Sequence, residues 1–310
     1  MANPQPFESI DATMAALLAC NYIPDRALAT TVYLAIQLGK PIFLEGEPGV
    51  GKTELAKTIA TIIGVDLIRL QCYEGLDIHT ALYEWNYPRQ MLELRLQEAR
   101  GVDRSQIGAN IFGEDFLLER PLLRALRATG PRRPVLLIDE VDRSDGEFEA
   151  FLLEFLSDFQ ISIPELGTLR AALTPIVILT SNRTRELHDA VKRRCLYHWI
   201  DYPEAGKEAA IVRVRVPGIA AHLADSLAFF MRQLRQEELY KRPGSAETVD
   251  WAQALLTLGA TDLDVDTAMA TLGCILKYKA DIDRIQGPAL GRLLEDAREA
   301  QAVAESPMTR

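Results

Sequence analysis

The chain has 310 residues, of which 48% are hydrophobic and 25% are charged, and its formal net charge is −10. This length accommodates one large domain or two modest ones, and the composition is that of a globular protein with a sizeable core. The acidic balance argues against a duplex-binding surface over the whole molecule, because phosphate contacts need clustered Lys and Arg.

The beginning of the chain carries no targeting signal that we recognise. The apolar run at residues 14–20 is short and follows acidic residues, unlike a secretory signal peptide. No stretch approaches the ~18 consecutive apolar residues of a membrane span. The cysteines are far apart and the histidines are scattered, which is typical of reduced thiols and predicts no zinc site. We therefore expect a cytoplasmic protein without a transmembrane segment.

Strands alternate with helices through the first 200 or so residues, which predicts a parallel sheet covered by helices on both faces. Short apolar runs predict buried strands at 41–45, 67–70, 134–138 and 174–179. Apolar periodicity and capping residues predict helices at 24–38, 53–63, 90–99, within 116–128, and after Asp145. Alternation at 160–163, followed by turn residues at 164–167, predicts a β-hairpin.

The pattern becomes almost entirely helical after Pro203, with breaks at Pro217, Pro243 and Pro288. We therefore predict two domains, an α/β nucleotide-binding domain at 1–204 and a smaller helical lid domain at 205–310. The last residues, from about Glu305, are predicted to fray.

Residues 46–53 read G-E-P-G-V-G-K-T and fit the phosphate-loop pattern G-x-x-x-x-G-K-[ST]. Glycines let successive backbone N–H groups curl around phosphate oxygens, and the following helix directs its positive end at the same anion. Lys52 is expected to reach the β- and γ-phosphates of ATP, and the Thr53 hydroxyl to bind Mg²⁺. The residues of the predicted ATP-binding loop are Gly46, Glu47, Pro48, Gly49, Val50, Gly51, Lys52 and Thr53.

Polar side chains follow two of the predicted buried strands. Asp139 and Glu140 come directly after the strand at 134–138, and Asn182 follows the strand at 174–179. Asp139 is a candidate to hold the Mg²⁺ shell, and Glu140 is a candidate general base that polarises the attacking water. Asn182 is a candidate to orient that water or to contact the γ-phosphate. Alone, each would be an ordinary polar strand end, but their order after the phosphate loop favours the functional interpretation.

A basic triplet occupies residues 192–194. One interpretation is a solvated helix end that favours cations near its C-terminus. The sharper interpretation is that Arg193 or Arg194 reaches the nucleotide of a neighbouring subunit and stabilises charge in the transition state, which requires an oligomer.

Aromatic residues cluster at Tyr83, Trp85 and Tyr87. Core packing is the simpler interpretation of this cluster, and a pore or partner contact is the alternative. Tyr22 either lines an adenine pocket or has a plain packing role.

The phosphate loop, Asp139-Glu140, Asn182 and Arg193-Arg194, in this order and followed by a helical domain, resemble the AAA+ ATPases. A closer resemblance is to the MoxR branch and, within it, to the CoxD-like members. The stretches that carry it are R-L-Q-C-Y-E-G at 69–75, I-P-E-L-G at 163–167, T-S-N-R-T-R-E-L at 180–187, R-R-C-L-Y-H-W at 193–199 and K-R-P-G-S-A-E-T at 241–248. The resemblance covers roughly residues 20–260.

The resemblance implies an α/β P-loop NTPase fold, with a parallel sheet flanked by helices and followed by an all-helical lid. It implies a Mg²⁺-dependent ATPase that forms a homo-oligomeric ring, typically a hexamer, and acts as a remodelling chaperone. It implies a partner with a von Willebrand factor A domain and a metalloenzyme client, for CoxD-like members a molybdenum–copper carbon monoxide dehydrogenase.

By position, the resemblance makes residues 46–53 Walker A, Asp139 and Glu140 Walker B, and Asn182 sensor 1. It makes Arg194 the arginine finger, with Arg193 as the alternative. The hairpin at 159–171 would be the insert that faces the ring pore.

One departure from the family pattern concerns the lid. Many MoxR relatives carry a sensor 2 arginine in a Ser-Pro-Arg motif, whereas Glu247 occupies that place here. Either Lys241 or Arg242 substitutes, or the lid senses nucleotide differently, so sensor 2 stays unassigned.

Two rival functions remain open at this point. One is a nucleic-acid motor, which the acidic composition disfavours, and we expect no stable nucleic-acid partner. The other is a nucleotide switch that scaffolds a partner without hydrolysis, which the complete Asp139-Glu140 pair disfavours.

Overall fold

The computed structural model describes residues 6–100, 113–163 and 167–305. These residues fall into two compact units. One contains the described residues within 1–16, 25–45 and 53–199, and the other contains those within 17–24, 46–52 and 200–310. Residues 46–52 of the phosphate loop are thus grouped with the C-terminal part of the chain, although they directly continue a strand of the first unit.

A parallel five-stranded sheet flanked by helices forms the centre of the first unit, with strand order β2-β5-β8-β1-β9. Two small antiparallel sheets, β3-β4 and β6-β7, accompany it. The strands are β1 Ile42–Gly46, β2 Leu67–Gln71, β3 Tyr83–Trp85, β4 Leu117–Glu119, β5 Val135–Asp139, β6 Gln160–Ile163, β7 Gly167–Arg170, β8 Ile176–Ser181 and β9 Leu196–Ile200.

The helices before residue 200 are α1 Ile10–Ala19, α2 Arg26–Leu38, α3 Lys52–Ile63, α4 Ile78–Leu82, α5 Tyr87–Ala99, α6 Pro121–Arg127, α7 Gly146–Asp158 and α8 Asp189–Lys192. Those after it are α9 Ala205–Arg215, α10 Ala221–Leu234, α11 Ser245–Thr257, α12 Val265–Thr271, α13 Lys279–Ile285 and α14 Pro288–Glu305. Short 3₁₀ turns lie at Glu114–Phe116, Val141–Arg143 and Leu272–Cys274. Throughout the described ranges, no helix combines the length and apolarity that crossing a membrane requires.

Capping residues place the helices where the sequence predicts them. Asp25 Oδ1 accepts the Leu28 N–H at 2.7 Å, and Asp145 Oδ1 accepts the Phe148 N–H at 2.9 Å. Gly39 ends α2 in the left-handed conformation, with φ of 62°. The α/β class, the buried strands of the main sheet, the β6-β7 hairpin and the helical C-terminal region are therefore confirmed.

Other features differ from the prediction. β9 is half-exposed and has the mixed sequence L-Y-H-W-I, so it lacks a continuous apolar run. β3 and β4 have three residues each, too few to show a period. β8 extends through Ser181, whereas the sequence suggested an end at residue 179. The turn at 164–166 and the tail beyond residue 305 lie outside the described residues.

The aromatic cluster divides between the core and the surface. Tyr83 and Trp85 are buried in the core of the first unit, whereas Tyr87 is exposed. Core packing therefore accounts for the first two side chains.

A buried ion pair connects the first helices of the C-terminal region. Arg235 Nη1 and Nη2 donate to the two carboxylate oxygens of Glu208, each at 2.6 Å. Both side chains are almost inaccessible, at 7% and 0% exposure. Thr248 Oγ1 donates to Glu208 at 2.6 Å, and Arg235 Nε donates to the Pro243 carbonyl at 2.8 Å. This network fixes the start of α11 to α9 and to the end of α10.

We expect Arg235→Met to lower the free energy of unfolding by about 3–5 kcal/mol, because it leaves the Glu208 carboxylate buried without its partner. Arg284→Met is the matched control, since Arg284 pairs with Glu238 on the surface and should lose less than about 1 kcal/mol. Urea denaturation followed by circular dichroism measures both. Equal losses in the two variants would contradict the importance of the buried network.

Candidate active site

The phosphate loop joins β1 to α3, and a close approach of other backbone atoms requires glycine at its first position. A Cβ on Gly46 would lie 2.2 Å from the Ile200 carbonyl oxygen, so any side chain there collides with backbone. Gly49 and Gly51 have φ of 77° and 95°, in the left-handed region that favours glycine. The glycine positions of the sequence pattern therefore have direct steric and conformational causes.

Lys52 folds back over its own loop. Its Nζ donates to the Gly46 and Glu47 carbonyl oxygens, each at 2.7 Å. The side chain is 6% exposed, so its charge is held against the loop. This arrangement keeps one ammonium group beside the backbone N–H groups that the loop offers to phosphate.

Asp139 ends β5 and has three side-chain partners from other elements. Its Oδ1 accepts the hydroxyls of Thr180 at 2.6 Å and Thr53 at 3.1 Å. Its Oδ2 accepts Arg69 Nη2 at 2.6 Å and Arg69 Nε at 3.1 Å. The residue is only 3% exposed, and a buried carboxylate requires such partners. The structure thus brings together two of the predicted site residues, Thr53 and Asp139.

Glu140 adopts a left-handed backbone conformation, with φ of 54° and ψ of 50°. Its N–H donates to Thr180 Oγ1 at 2.9 Å, which holds this sparsely populated conformation. Its Oε2 accepts Gln71 Nε2 at 3.0 Å and Arg143 Nη1 at 3.2 Å. Strained backbone at a non-glycine residue is common at functional sites.

The oxygens of Thr53 and Asp139 fit a Mg²⁺ ion. Mg²⁺ prefers hard oxygen ligands, and in nucleotide sites one or two protein groups hold it together with phosphates and water. The described residues contain no group of three or more His, Cys, Asp or Glu that could hold a metal by itself.

Asp142 anchors the segment that follows β8. Its Oδ2 accepts the backbone N–H groups of Asn182 at 3.2 Å and Thr184 at 2.8 Å. The Thr184 hydroxyl also donates to Oδ2 at 2.7 Å. Asn182 is therefore positioned through its backbone by a residue on the turn just after Glu140.

Cys72 lies beside these carboxylates but is chemically quiet. Burial raises the pKa of its thiol to about 12, and the nearby negative charges of Asp139, Asp142 and Glu140 act in the same direction. The thiol is protonated at neutral pH, and it is the thiolate that attacks. Burial and these charges thus disfavour the thiolate form of Cys72.

The two candidate finger arginines differ in their surroundings. Arg194 Nε donates to Ser157 Oγ at 2.5 Å, and its Nη1 donates to the Ala190 carbonyl at 3.0 Å. Arg193 is exposed, and its side chain makes no hydrogen bond or ion pair within the described residues. Of these two arginines, Arg193 is thus the one whose side chain makes no such bond within the described residues.

Glu247 lies in the first turn of α11. Its Oε2 accepts the Gly244 N–H at 3.0 Å. An acidic side chain thus occupies the position where the family pattern suggested an arginine.

Sequence reasoning did not assign Arg69, Gln71 or Thr180 to the site. Arg69 and Gln71 are two residues apart in β2, so their side chains lie on the same face of the sheet. β2 is the neighbour of β5, and Gln71 is the register partner of Asp139. Two polar side chains at i and i+2 in an otherwise apolar strand were the available signal.

Part of the chain, which includes the phosphate loop, matches a known family. Residues 42–200 match the family described as "ATPase family associated with various cellular activities (AAA)". The chain is 34% identical over 134 residues to the Lon protease of Halothermothrix orenii, a match that covers 41% of this chain and 14% of that protein. It is 33% identical over 138 residues to Lon protease 3 of Sorangium cellulosum, covering 41% of this chain and 14% of that protein. These matches thus span about one seventh of the curated relatives' length.

Two solved structures have a similar chain trace. A candidate ATPase of Cytophaga hutchinsonii aligns over 94% of this chain and 93% of its own, with a TM-score of 0.47 and 14% identity. The RuvB Holliday junction branch migration motor of Thermotoga maritima aligns over 97% and 84%, with a TM-score of 0.45 and 17% identity.

We expect Thr180→Val to lower the free energy of unfolding by about 1–3 kcal/mol, because it removes a buried partner of both the Asp139 carboxylate and the Glu140 N–H. Valine preserves the shape of the side chain. Thr257→Val is the control, since that exposed hydroxyl donates only to a carbonyl of its own helix. Urea denaturation measures the difference, and a Thr180→Val variant as stable as the control would show that the hydroxyl bridge is unimportant.

Proposed function

The chain belongs to the ATPase family associated with various cellular activities, and on this premise we propose that it is a MoxR-type, ring-forming, Mg²⁺-dependent ATPase that remodels a client protein. The observation that carries the proposal is the contact between the Thr53 hydroxyl and the buried Asp139 carboxylate. The residue after the phosphate-loop lysine and the carboxylate at the end of β5 thereby supply adjacent oxygens.

Each site residue has a role in the proposed reaction. Lys52 and the N–H groups of residues 46–53 bind the phosphates of ATP, and Thr53 and Asp139 hold Mg²⁺, which neutralises charge on the phosphates when bound. Water attacks the γ-phosphorus while the bond to the β-phosphate oxygen breaks. Glu140 accepts the proton of that water, and Asn182 orients it.

The finer assignment rests on the resemblance of the stretches at 69–75, 163–167 and 180–187 to CoxD-like proteins. On that basis we place the protein in a hexameric ring that acts with a von Willebrand factor A domain protein. Its client is a metalloenzyme of the molybdenum–copper carbon monoxide dehydrogenase kind, and its reaction supports metallocofactor insertion. The β6-β7 hairpin faces the pore of that ring.

We expect Glu140→Gln to retain ATP binding and to lower turnover by about 10²–10⁴-fold, because glutamine cannot accept the proton of the attacking water. Glu147→Gln, an exposed acid at the start of α7, is the matched control and should hydrolyse ATP at the normal rate. Phosphate release and calorimetric ATP binding measure the two properties. Undiminished hydrolysis by Glu140→Gln would overturn the role assigned to Glu140.

The same variant tests the proposed client. Held with ATP, Glu140→Gln should retain bound proteins during purification, and mass spectrometry should find both a von Willebrand factor A domain protein and a carbon monoxide dehydrogenase-like subunit. Retention of neither would contradict the finer proposal and leave the ATPase assignment intact.

The surroundings of the arginines favour Arg193 as the residue that acts on a neighbouring subunit. Arg194 is committed to Ser157 and Ala190, and releasing it would break both bonds. The exposed Arg193 makes no such bonds, so its guanidinium can reach a neighbouring subunit without breaking any. We therefore assign the trans-acting role to Arg193 and a local structural role to Arg194.

We expect Arg193→Ala to lower turnover by about 10³-fold or more, as the loss of an arginine finger does, and Arg194→Ala to lower it far less. Mixing Arg193→Ala subunits with Glu140→Gln subunits should restore activity. The first variant contributes an intact base, and the second contributes an intact Arg193 from across the interface. Steady-state ATPase assays of the mixtures decide the matter, and absence of restoration would exclude action in trans.

A further inference from the structure

The first turn of α11 is in direct contact with the middle of the phosphate loop. The Ala246 N–H donates to the Gly49 carbonyl at 3.0 Å. A Cβ added to Gly244 would lie 2.5 Å from the Pro48 carbonyl oxygen and 2.9 Å from the Gly49 Cα. Backbone therefore meets backbone at this contact, and no side chain at Gly244 could be accommodated without moving the loop.

The carboxylate of Glu247 lies at this contact. A Cβ built on Gly49 would lie 2.9 Å from Glu247 Oε2, so the carboxylate borders the backbone of the loop. The same oxygen accepts the Gly244 N–H, which holds the side chain over its own helix start. A negative charge is thus fixed against the residue in the middle of an anion-binding loop.

The surroundings hold the start of α11 in place. Thr248 Oγ1 binds the Glu208 carboxylate at 2.6 Å, and Arg235 Nε binds the Pro243 carbonyl at 2.8 Å. Tyr202 lies nearby, and burial, with the charges of Glu47 and Glu247 in part, raises the pKa of its hydroxyl to about 12. Acidic groups from the loop and from α11 thus act on Tyr202 together with the cations Arg235 and Arg242, whose charges lower its pKa, and Arg235 is already committed to Glu208.

We propose that Glu247 is a charge-sensing residue: its carboxylate opposes polyphosphate on the loop, so that binding of a nucleoside triphosphate loosens the contact between Ala246 and Gly49. This inference rests on the proposed nucleotide-binding function. It differs from recognition by an arginine, because the helix is repelled by added phosphate charge. A triphosphate carries more negative charge than a diphosphate, so the effect is larger for the triphosphate.

The loop and the helix oppose each other for a simple electrostatic reason. The N–H groups of the loop and Lys52 attract phosphate, whereas a fixed anion next to Gly49 repels it. The repulsion is relieved when α11 moves its first turn away from the loop. The start of α11 has one hydrogen bond to Gly49, so a modest repulsive energy suffices to shift that contact.

Calorimetric titration of the full chain with ATPγS and with ADP, both with Mg²⁺, tests the inference. We expect Glu247→Gln to bind ATPγS about 3–10-fold more tightly than wild type and ADP less than about 2-fold more tightly. Glutamine keeps an oxygen that can accept the Gly244 N–H. Asp250→Asn, an exposed acid on the same helix, removes the same charge and should change neither affinity.

Amide hydrogen exchange of the peptide that contains Ala246 supplies the second readout. In the wild type, ATPγS should speed exchange of that amide relative to ADP by about 10-fold, and in Glu247→Gln the two nucleotides should give equal rates. Equal or weaker ATPγS affinity in Glu247→Gln overturns the inference, and so does an Ala246 amide that ATPγS protects in the wild type.

A separate variant distinguishes this failure from failure of the proposed function. Lys52→Ala should abolish nucleotide binding. If the wild type binds neither nucleotide, or if Lys52→Ala binds like the wild type, the proposed function fails. If both behave as expected and Glu247→Gln matches the wild type, only the inference about Glu247 fails.

Discussion

A carboxylate that is almost fully buried must be compensated, and the structure of the first unit depends on how this is achieved for Asp139. Its oxygens are satisfied by Thr53 from α3, Thr180 from β8 and Arg69 from β2. The sheet order β2-β5-β8 makes this possible, because it places a donor strand on each side of β5. Removing a donor weakens this compensation in a low-dielectric setting, where an unmet hydrogen bond costs most.

Thr180 connects this compensation to the neighbouring base. One hydroxyl donates to Asp139 and accepts the N–H of Glu140, so the carboxylate's position and the strained backbone of Glu140 are set together. Two further donors, Gln71 and Arg143, hold the Glu140 side chain. Asp139, the candidate metal ligand, and Glu140, the candidate base, therefore share one hydrogen-bonded network. A change in the position of one alters the position of the other.

Four of the five strands of the main sheet were predictable because their signals are local. Four apolar runs and the octet at 46–53 each carry their information within a few residues. The contacts of Arg69 and Thr180 depend on which strands become neighbours, and no local pattern states that order. The choice between Arg193 and Arg194 is another such case, because Ser157 lies 37 residues from Arg194 in the sequence. Likewise, only tertiary structure shows that the Glu247 carboxylate borders Gly49.

The negative charge of Glu247 beside the phosphate loop is compatible with ATP hydrolysis. Interactions that are equal in the ground state and the transition state alter KM without altering kcat. On the proposal made for Glu247, movement of the first turn of α11 relieves the repulsion by a bound triphosphate, so the charge acts on ATP binding rather than on the chemical step. The same charge therefore opposes tight ATP binding. A lid that is repelled by triphosphate would return to Gly49 after phosphate release, which couples each turnover to a movement of α11.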